Sequence, residues 1–169
     1  MSNHEKSNYE MIVVAFEDEY RAAEVQSTLK QLEDTAVVDL KSAALVTRDA
    51  SGKVRIKETS DFDAKQGAIG GAVAGGLLGL LKGNLLGGAI LGAAGGAIAG
   101  KGIDLGLEDE FLEDIGDKLS TSSSAVVALI DFDHVDQAME ELEKFEGGTI
   151  LHHTLDADVY EKLSEAVED

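Results

Sequence analysis

The chain has no cysteine, which excludes a disulfide framework, a thiol nucleophile and any zinc site built on thiolates. It is also poor in cations: 14 Lys and Arg stand against 33 Asp and Glu, a formal net charge of −19 over 169 residues. Nucleic acid and anionic lipid surfaces are held by clustered Lys and Arg, so this surplus of negative charge argues against nucleic acid as a partner. The opening residues, Met1 to Asn8, hold no apolar run of signal-peptide length. Nothing demands an oxidising compartment, so a cytoplasmic location is expected, with residues 1–10 as a disordered tail.

The rest of the chain is long enough for one domain with a real core. Met11 to Phe16 is a short Val-rich run suited to a buried strand, and Glu17-Asp18-Glu19 offers a helix entry. Tyr20, Ala23, Leu29 and Leu32 then follow helical spacing, with Val25 beside the stripe. Val38, Leu40, Ser42, Ala44 and Val46 alternate with polar residues, the turn Asp49-Ala50-Ser51-Gly52 follows, and Val54 and Ile56 alternate with Lys53, Arg55 and Lys57. This pattern predicts a β-hairpin. Further on, Leu107 to Leu119 predicts a short helix, with Ser120 to Ser124 as its exit loop. Ala125 to Ile130 reads as a strand, and Asp133 is placed to cap a helix carrying Val135, Ala138, Met139, Leu142 and Phe145. Gly147-Gly148 turns into a strand from Thr149 to Leu155, and Ala157 to Val167 adds a terminal helix.

The two ends repeat one pattern. Val13-Val14-Ala15 opens the first strand–helix–strand unit, and Val126-Val127-Ala128 opens the second. Two such units predict an α+β fold, a ferredoxin-like sandwich of two βαβ units, with residues 11–66 as its first half and 103–169 as its second half with extra helices. Between them, residues 67–102 form an inserted apolar segment that is expected to leave the domain and return.

That segment is almost wholly Gly, Ala, Leu, Ile and Val, broken by Lys82 and Asn84 and by Lys101 near its end. Gly67, Gly71, Gly75, Gly79, Gly83 and Gly87 recur every four residues, and Gly88, Gly92, Gly96 and Gly100 repeat the spacing. Two helices with smooth glycine faces, joined at Lys82-Gly83-Asn84, are implied: a glycine-zipper helical hairpin. Glycine costs roughly 1 kcal/mol per helix-interior position relative to Ala, so close backbone packing must offset on the order of 10 kcal/mol. A flexible linker would be Ser-rich and polar, whereas this stretch has no Ser. A phosphate-binding loop is also disfavoured, because Gly100-Lys101-Gly102 lacks the hydroxyl residue that follows the Lys. Each half of about 15 residues spans roughly 22 Å, short of the ~30 Å hydrocarbon core.

The hairpin runs into Gly102-Ile103-Asp104-Leu105-Gly106-Leu107-Glu108-Asp109-Glu110-Phe111-Leu112, and then Leu119 and Ser123-Ser124-Ala125-Val126-Val127-Ala128-Leu129. Over roughly Met11 to Leu155 the chain resembles the bacterial and archaeal family called domain of unknown function 1269. The resemblance implies a membrane-associated protein and carries no catalytic residue across.

Other chemistry is set aside on local grounds. His152 and His153 are strand neighbours pointing to opposite faces, so a surface His and a packed His are expected rather than a metal clamp. Asp131, Asp133, His134 and Asp136 lie at a strand-to-helix junction, where acids cap and favour the helix start. The Ser120 to Ser124 run has no base near it in sequence. No catalytic residue, metal or cofactor is therefore assigned. The expected function is a non-enzymatic, self-associating structural or scaffold protein whose partner is itself, with the hairpin buried in membrane lipid or in the oligomer core. The alternatives are a soluble homo-oligomeric ring, shell or filament with a hydrophobic hairpin core, and an apolar small-molecule or lipid-binding module.

Overall fold

The computed structural model describes residues 8–58, 69–74 and 107–168. Five strands form one antiparallel sheet: β1 (Tyr9–Phe16), β2 (Leu40–Arg48), β3 (Val54–Glu58), β4 (Ser123–Asp131) and β5 (Thr149–Leu155), in the order β3-β2-β4-β1-β5. Helix α1 (Arg21–Asp34) follows β1, α2 (Asp109–Lys118) precedes β4, α3 (Val135–Leu142) joins β4 to β5, and α4 (Ala157–Glu168) follows β5. The two central strands come one from each half of the chain, pairing from Tyr9 with Asp131 to Phe16 with Ser124. Neither half therefore forms the sheet alone.

Both faces of the sheet are covered. Ile12, Val14 and Phe16 on β1 pack with Ala22, Val25 and Leu29 of α1 and Ala138 and Leu142 of α3. Met11, Val13 and Ala15 point the other way, into a core shared with Ile69 to Ala74, Ile115 of α2 and Leu163 of α4. Burial on both sides removes the need for alternation, which is why residues 11–16 of β1 and 125–130 of β4 read as uninterrupted apolar runs.

Several local expectations shift. β1 begins at Tyr9, inside the stretch expected to be a tail, because Tyr9 pairs with Leu155 and Asp131 and stacks on Tyr160 at 4.2 Å. In α1 the buried stripe is Ala22, Val25 and Leu29, whereas Tyr20 is 78% exposed. Tyr20 sits at the helix start beside Asp18, whose Oδ1 accepts the backbone N–H groups of Tyr20 and Arg21. Ser123 and Ser124 belong to β4 rather than to a loop: Ser124 Oγ donates to the carbonyl of Asp18 and accepts from the N–H of Ala22, fastening the β1–α1 corner.

The alternation expected along β2 is broken by a bulge. Leu40 is opposite Ile130, yet Ser42 is opposite Leu129, which leaves Lys41 as the extra residue. Leu40 and Ala43 consequently share the α1 face, while Ala44 and Val46 lie in the opposite core. The β2–β3 turn is the one expected. Gly52 adopts φ +88°, where a side chain is strained, and Asp49 Oδ1 accepts from the N–H groups of Ser51 and Lys53. The Ser51 hydroxyl and these N–H groups hold the Asp49 carboxyl below its usual range. Arg48 closes the end of the sheet by donating to the carbonyls of Leu119 at 2.8 Å and Gly52 at 3.3 Å.

Candidate functional site

Within the glycine-rich segment, residues 69–74 are helical and every one is buried. A helix that is apolar on all sides needs cover on all sides, and this one finds it inside the domain. Ile69, Ala72, Val73 and Ala74 share a core with Met11, Val13 and Ala15 of β1 and Val127 of β4. The start of the segment therefore does not leave the domain; it is part of its interior. The energetics favour this. Burying Ile69 and Val73 contributes roughly 1.5–3 kcal/mol each, more than the ~1 kcal/mol of helix propensity lost at each of Gly70 and Gly71.

The closest approach is at Gly70. A Cβ there would lie 2.7 Å from Ser42 Oγ and 2.8 Å from the Ala43 carbonyl oxygen. The helix thus rests backbone against backbone on β2, and only glycine fits. The Lys41 bulge puts Ser42 and Ala44, both small and fully buried, beneath it. Among the described residues Ser42 Oγ has no hydrogen-bond partner, so the hydroxyl contributes volume without a compensating bond.

Of the glycines expected to form the zipper, Gly71 lies in this buried helix. Gly67, Gly75, Gly79, Gly83, Gly87, Gly88, Gly92, Gly96 and Gly100 lie outside the described residues, as does the joint at Lys82-Gly83-Asn84. Gly70 itself is not in the four-residue register that the spacing picks out. The signal that marks it is the Gly70-Gly71 pair together with a Ser-Ala-Ala run on the strand it covers.

The polar constellations resolve into structure. Asp131 Oδ1 accepts the N–H of Asp133 at 2.9 Å, and a 3₁₀ turn, Phe132–His134, intervenes before α3. Asp133 makes no cap, because α3 starts at Val135 with His134 in the cap position and no side-chain bond. Asp131→Ala is therefore expected to lower stability by about 1 kcal/mol, and Asp133→Ala to change the urea midpoint little; equal losses at both positions would contradict this assignment. His152 and His153 do point to opposite faces. His153 lies against Phe111 of α2 at 5.5 Å, and His152 Nδ1 is 2.6 Å from Glu10 Oε1. Glu10 is the surprise: only 2% exposed, it also accepts from Thr154 Oγ1 at 2.7 Å. Among the described residues, no group of three or more His, Asp or Glu is placed to hold a metal ion.

A cleft of about 190 Å³ lies between Phe16, Glu17, Lys118 and Thr149, below the roughly 300–1,000 Å³ of sites that enclose small molecules. Among the described residues no helix is long and apolar enough to cross a membrane.

The sheet and the buried seat on β2 define a mixed α/β protein that takes the start of a glycine-rich apolar segment into its own core. The chain belongs to the family described as protein of unknown function (DUF1269), whose family model matches residues 68–168. That match begins at the glycine-rich segment rather than at Met11 and extends past Leu155. No curated protein and no solved structure matches the chain.

Proposed function

We propose that this chain is a non-enzymatic, self-associating structural protein: a ferredoxin-like domain that keeps residues 69–74 in its own core and presents the part of residues 67–102 beyond them as a glycine-zipper hairpin to hairpins of other copies. The domain assignment is supported by the strand order β2-β4-β1-β5, in which two βαβ units interleave antiparallel with α1 and α3 on one face. The association is supported by a single observation, the seat of residues 69–74. There a glycine, Gly70, brings helix backbone onto protein backbone, which is the mode of contact a glycine face provides. The segment beyond it is as rich in glycine and as apolar, and an unpartnered surface of that kind exceeds what monomers leave in water. A dry contact between copies meets the need, and membrane lipid is the alternative cover.

The test separates them by sign. Gly75→Leu and Gly92→Leu raise hydrophobicity and helix propensity, so insertion driven by lipid partitioning would strengthen. A glycine contact would be pushed apart, and light scattering of protein purified without detergent is expected to show particle mass falling towards the monomer. Leu78→Ile conserves volume and is expected to leave it unchanged. Unchanged particles in both glycine variants, or a monodisperse monomer in the parent chain, would overturn the reading.

A further inference from the structure

The cations of this acidic chain are not evenly used. Lys30 pairs with Glu33 and Asp34, Lys41 with Asp39, Lys144 with Glu141, and Arg21 with Glu24. Arg48, Lys118 and Lys162 form no ion pair among the described residues, and Lys53, Arg55 and Lys57 share this but lie side by side. Arg55 and Lys57 alternate along β3 with Val54 and Ile56, which face the core, so both stand on the other face of the strand, and Lys53 directly precedes them at the end of the turn. Arg55 and Lys57 are exposed, Lys53 is half-buried, and none forms an ion pair among the described residues; Arg55 is near enough to Asp49 only to help hold its carboxyl low. Among the described residues β3 is also the end of the sheet, hydrogen-bonded to β2 on one side alone.

The complement is on the same molecule but at the other edge. Helix α2 buries Ile115 and turns Glu110, Glu113, Asp114 and Asp117 outward, at spacings that put them on one face. Its first half lies over β5, with Phe111 against His153, at the opposite end of the strand order from β3. The two patches match in length: Lys53 to Lys57 covers about 13 Å at strand rise, and Glu110 to Asp117 about 10 Å at helix rise. Helix α2 packs on the face of the sheet that holds Val54 and Ile56, whereas Arg55 and Lys57 stand on the other face, so the two patches meet only between copies.

We infer that the β3 edge of one copy docks the acidic face of α2 of a second copy. The inference rests on the self-association reading and adds to it a head-to-tail contact, which propagates into rings or chains rather than closing as a symmetric pair. The net charge of −19 does not prevent it, because repulsion beyond about 8–10 Å is screened at physiological salt while the facing charges are not. A long polyanion gains from the same three cations but runs on along the acidic remainder of the surface, which favours an occupant the size of one helix.

The absence of native cysteine makes the contact directly readable. Chains carrying Ala50→Cys, at the exposed tip beside the cation strip, are mixed with chains carrying Glu113→Cys and oxidised. The mixture is expected to yield disulfide-linked pairs that single populations do not, and oxidation of the same mixture in about 0.5 M salt, where the charge contact is screened beforehand, is expected to yield none. Reversing the strip (Lys53→Glu, Arg55→Glu, Lys57→Glu) is expected to lower the yield by at least about tenfold, as is reversing the helix (Glu110→Lys, Asp114→Lys, Asp117→Lys). Mixing the two reversed chains restores complementarity, and with it the linked pairs. Yield that ignores both reversals, no linkage in the parent mixture, or binding of the strip to anionic vesicles in place of linkage would overturn the inference. Its failure is distinct from failure of the hairpin reading: the charge reversals leave the glycine-dependent particle mass standing, and Gly75→Leu leaves the linkage standing.

Discussion

Gly70→Val is expected to lower stability by about 3 kcal/mol, and Gly70→Ala by about 1–2 kcal/mol, although both residues are more apolar than glycine and better in a helix. Two physical terms compete. Burying one methyl and gaining helix propensity would together favour Ala by roughly 1–2 kcal/mol. Against this, the new Cβ falls 2.7 Å from Ser42 Oγ and 2.8 Å from the Ala43 carbonyl oxygen, and the second neighbour is backbone that moves only if β2 moves. The steric term is therefore expected to win. Ser42→Ala provides the control. By itself it removes a buried hydroxyl with no partner among the described residues and is expected to be neutral or stabilising by up to about 1 kcal/mol. Combined with Gly70→Ala, it relieves the contact to Oγ but not the one to the carbonyl, so rescue is expected to be partial, with a coupling of about 1 kcal/mol. Urea midpoints of the four proteins decide it, and a raised midpoint for Gly70→Ala would mean that the helix does not rest on β2 in this way.

The second large effect concerns Glu10, a carboxylate 2% exposed on a central strand. Its oxygens are taken by Thr154 Oγ1 and His152 Nδ1. Removing a partner from a buried acceptor leaves the desolvation penalty in place, so His152→Ala is expected to destabilise by about 2 kcal/mol. The figure stays below the 3–5 kcal/mol of a fully buried pair, because the His152 side chain is 55% exposed and water reaches the vacated position. Replacing both partners is expected to be milder than replacing one. The double variant Glu10→Leu, His152→Leu leaves no unpaired charge beneath β5 and is expected to lie within about 1 kcal/mol of the parent. Additive losses, with the double variant the least stable, would show that Glu10 does not depend on His152.

The order of elements was legible from the residues because periodicity is local. Thr149–Leu155 is the predicted strand residue for residue. The runs at Met11 to Phe16 and Ala125 to Ile130 lie inside β1 and β4, and Asp49 to Gly52 is the predicted turn. The four-residue glycine spacing and the stretch that follows it also sufficed to point to the family. Asp133 misled because an acid two residues before a helix looks like a cap from the sequence; a 3₁₀ turn moved the helix start and gave the bond to Asp131.

What tertiary structure alone decided is which backbone lies over which. The bulge at Lys41 turns Ser42 under the helix, and Gly70, outside the glycine register, becomes the point of contact because that residue happens to cross β2 there. Glu10 reads as part of a polar tail until β5 supplies His152 and Thr154 from about 140 residues away. Hydrophobic pattern and propensity record how a residue behaves along its own helix or strand; a close approach or a buried pair depends on two segments at once, and its determinants are divided between them.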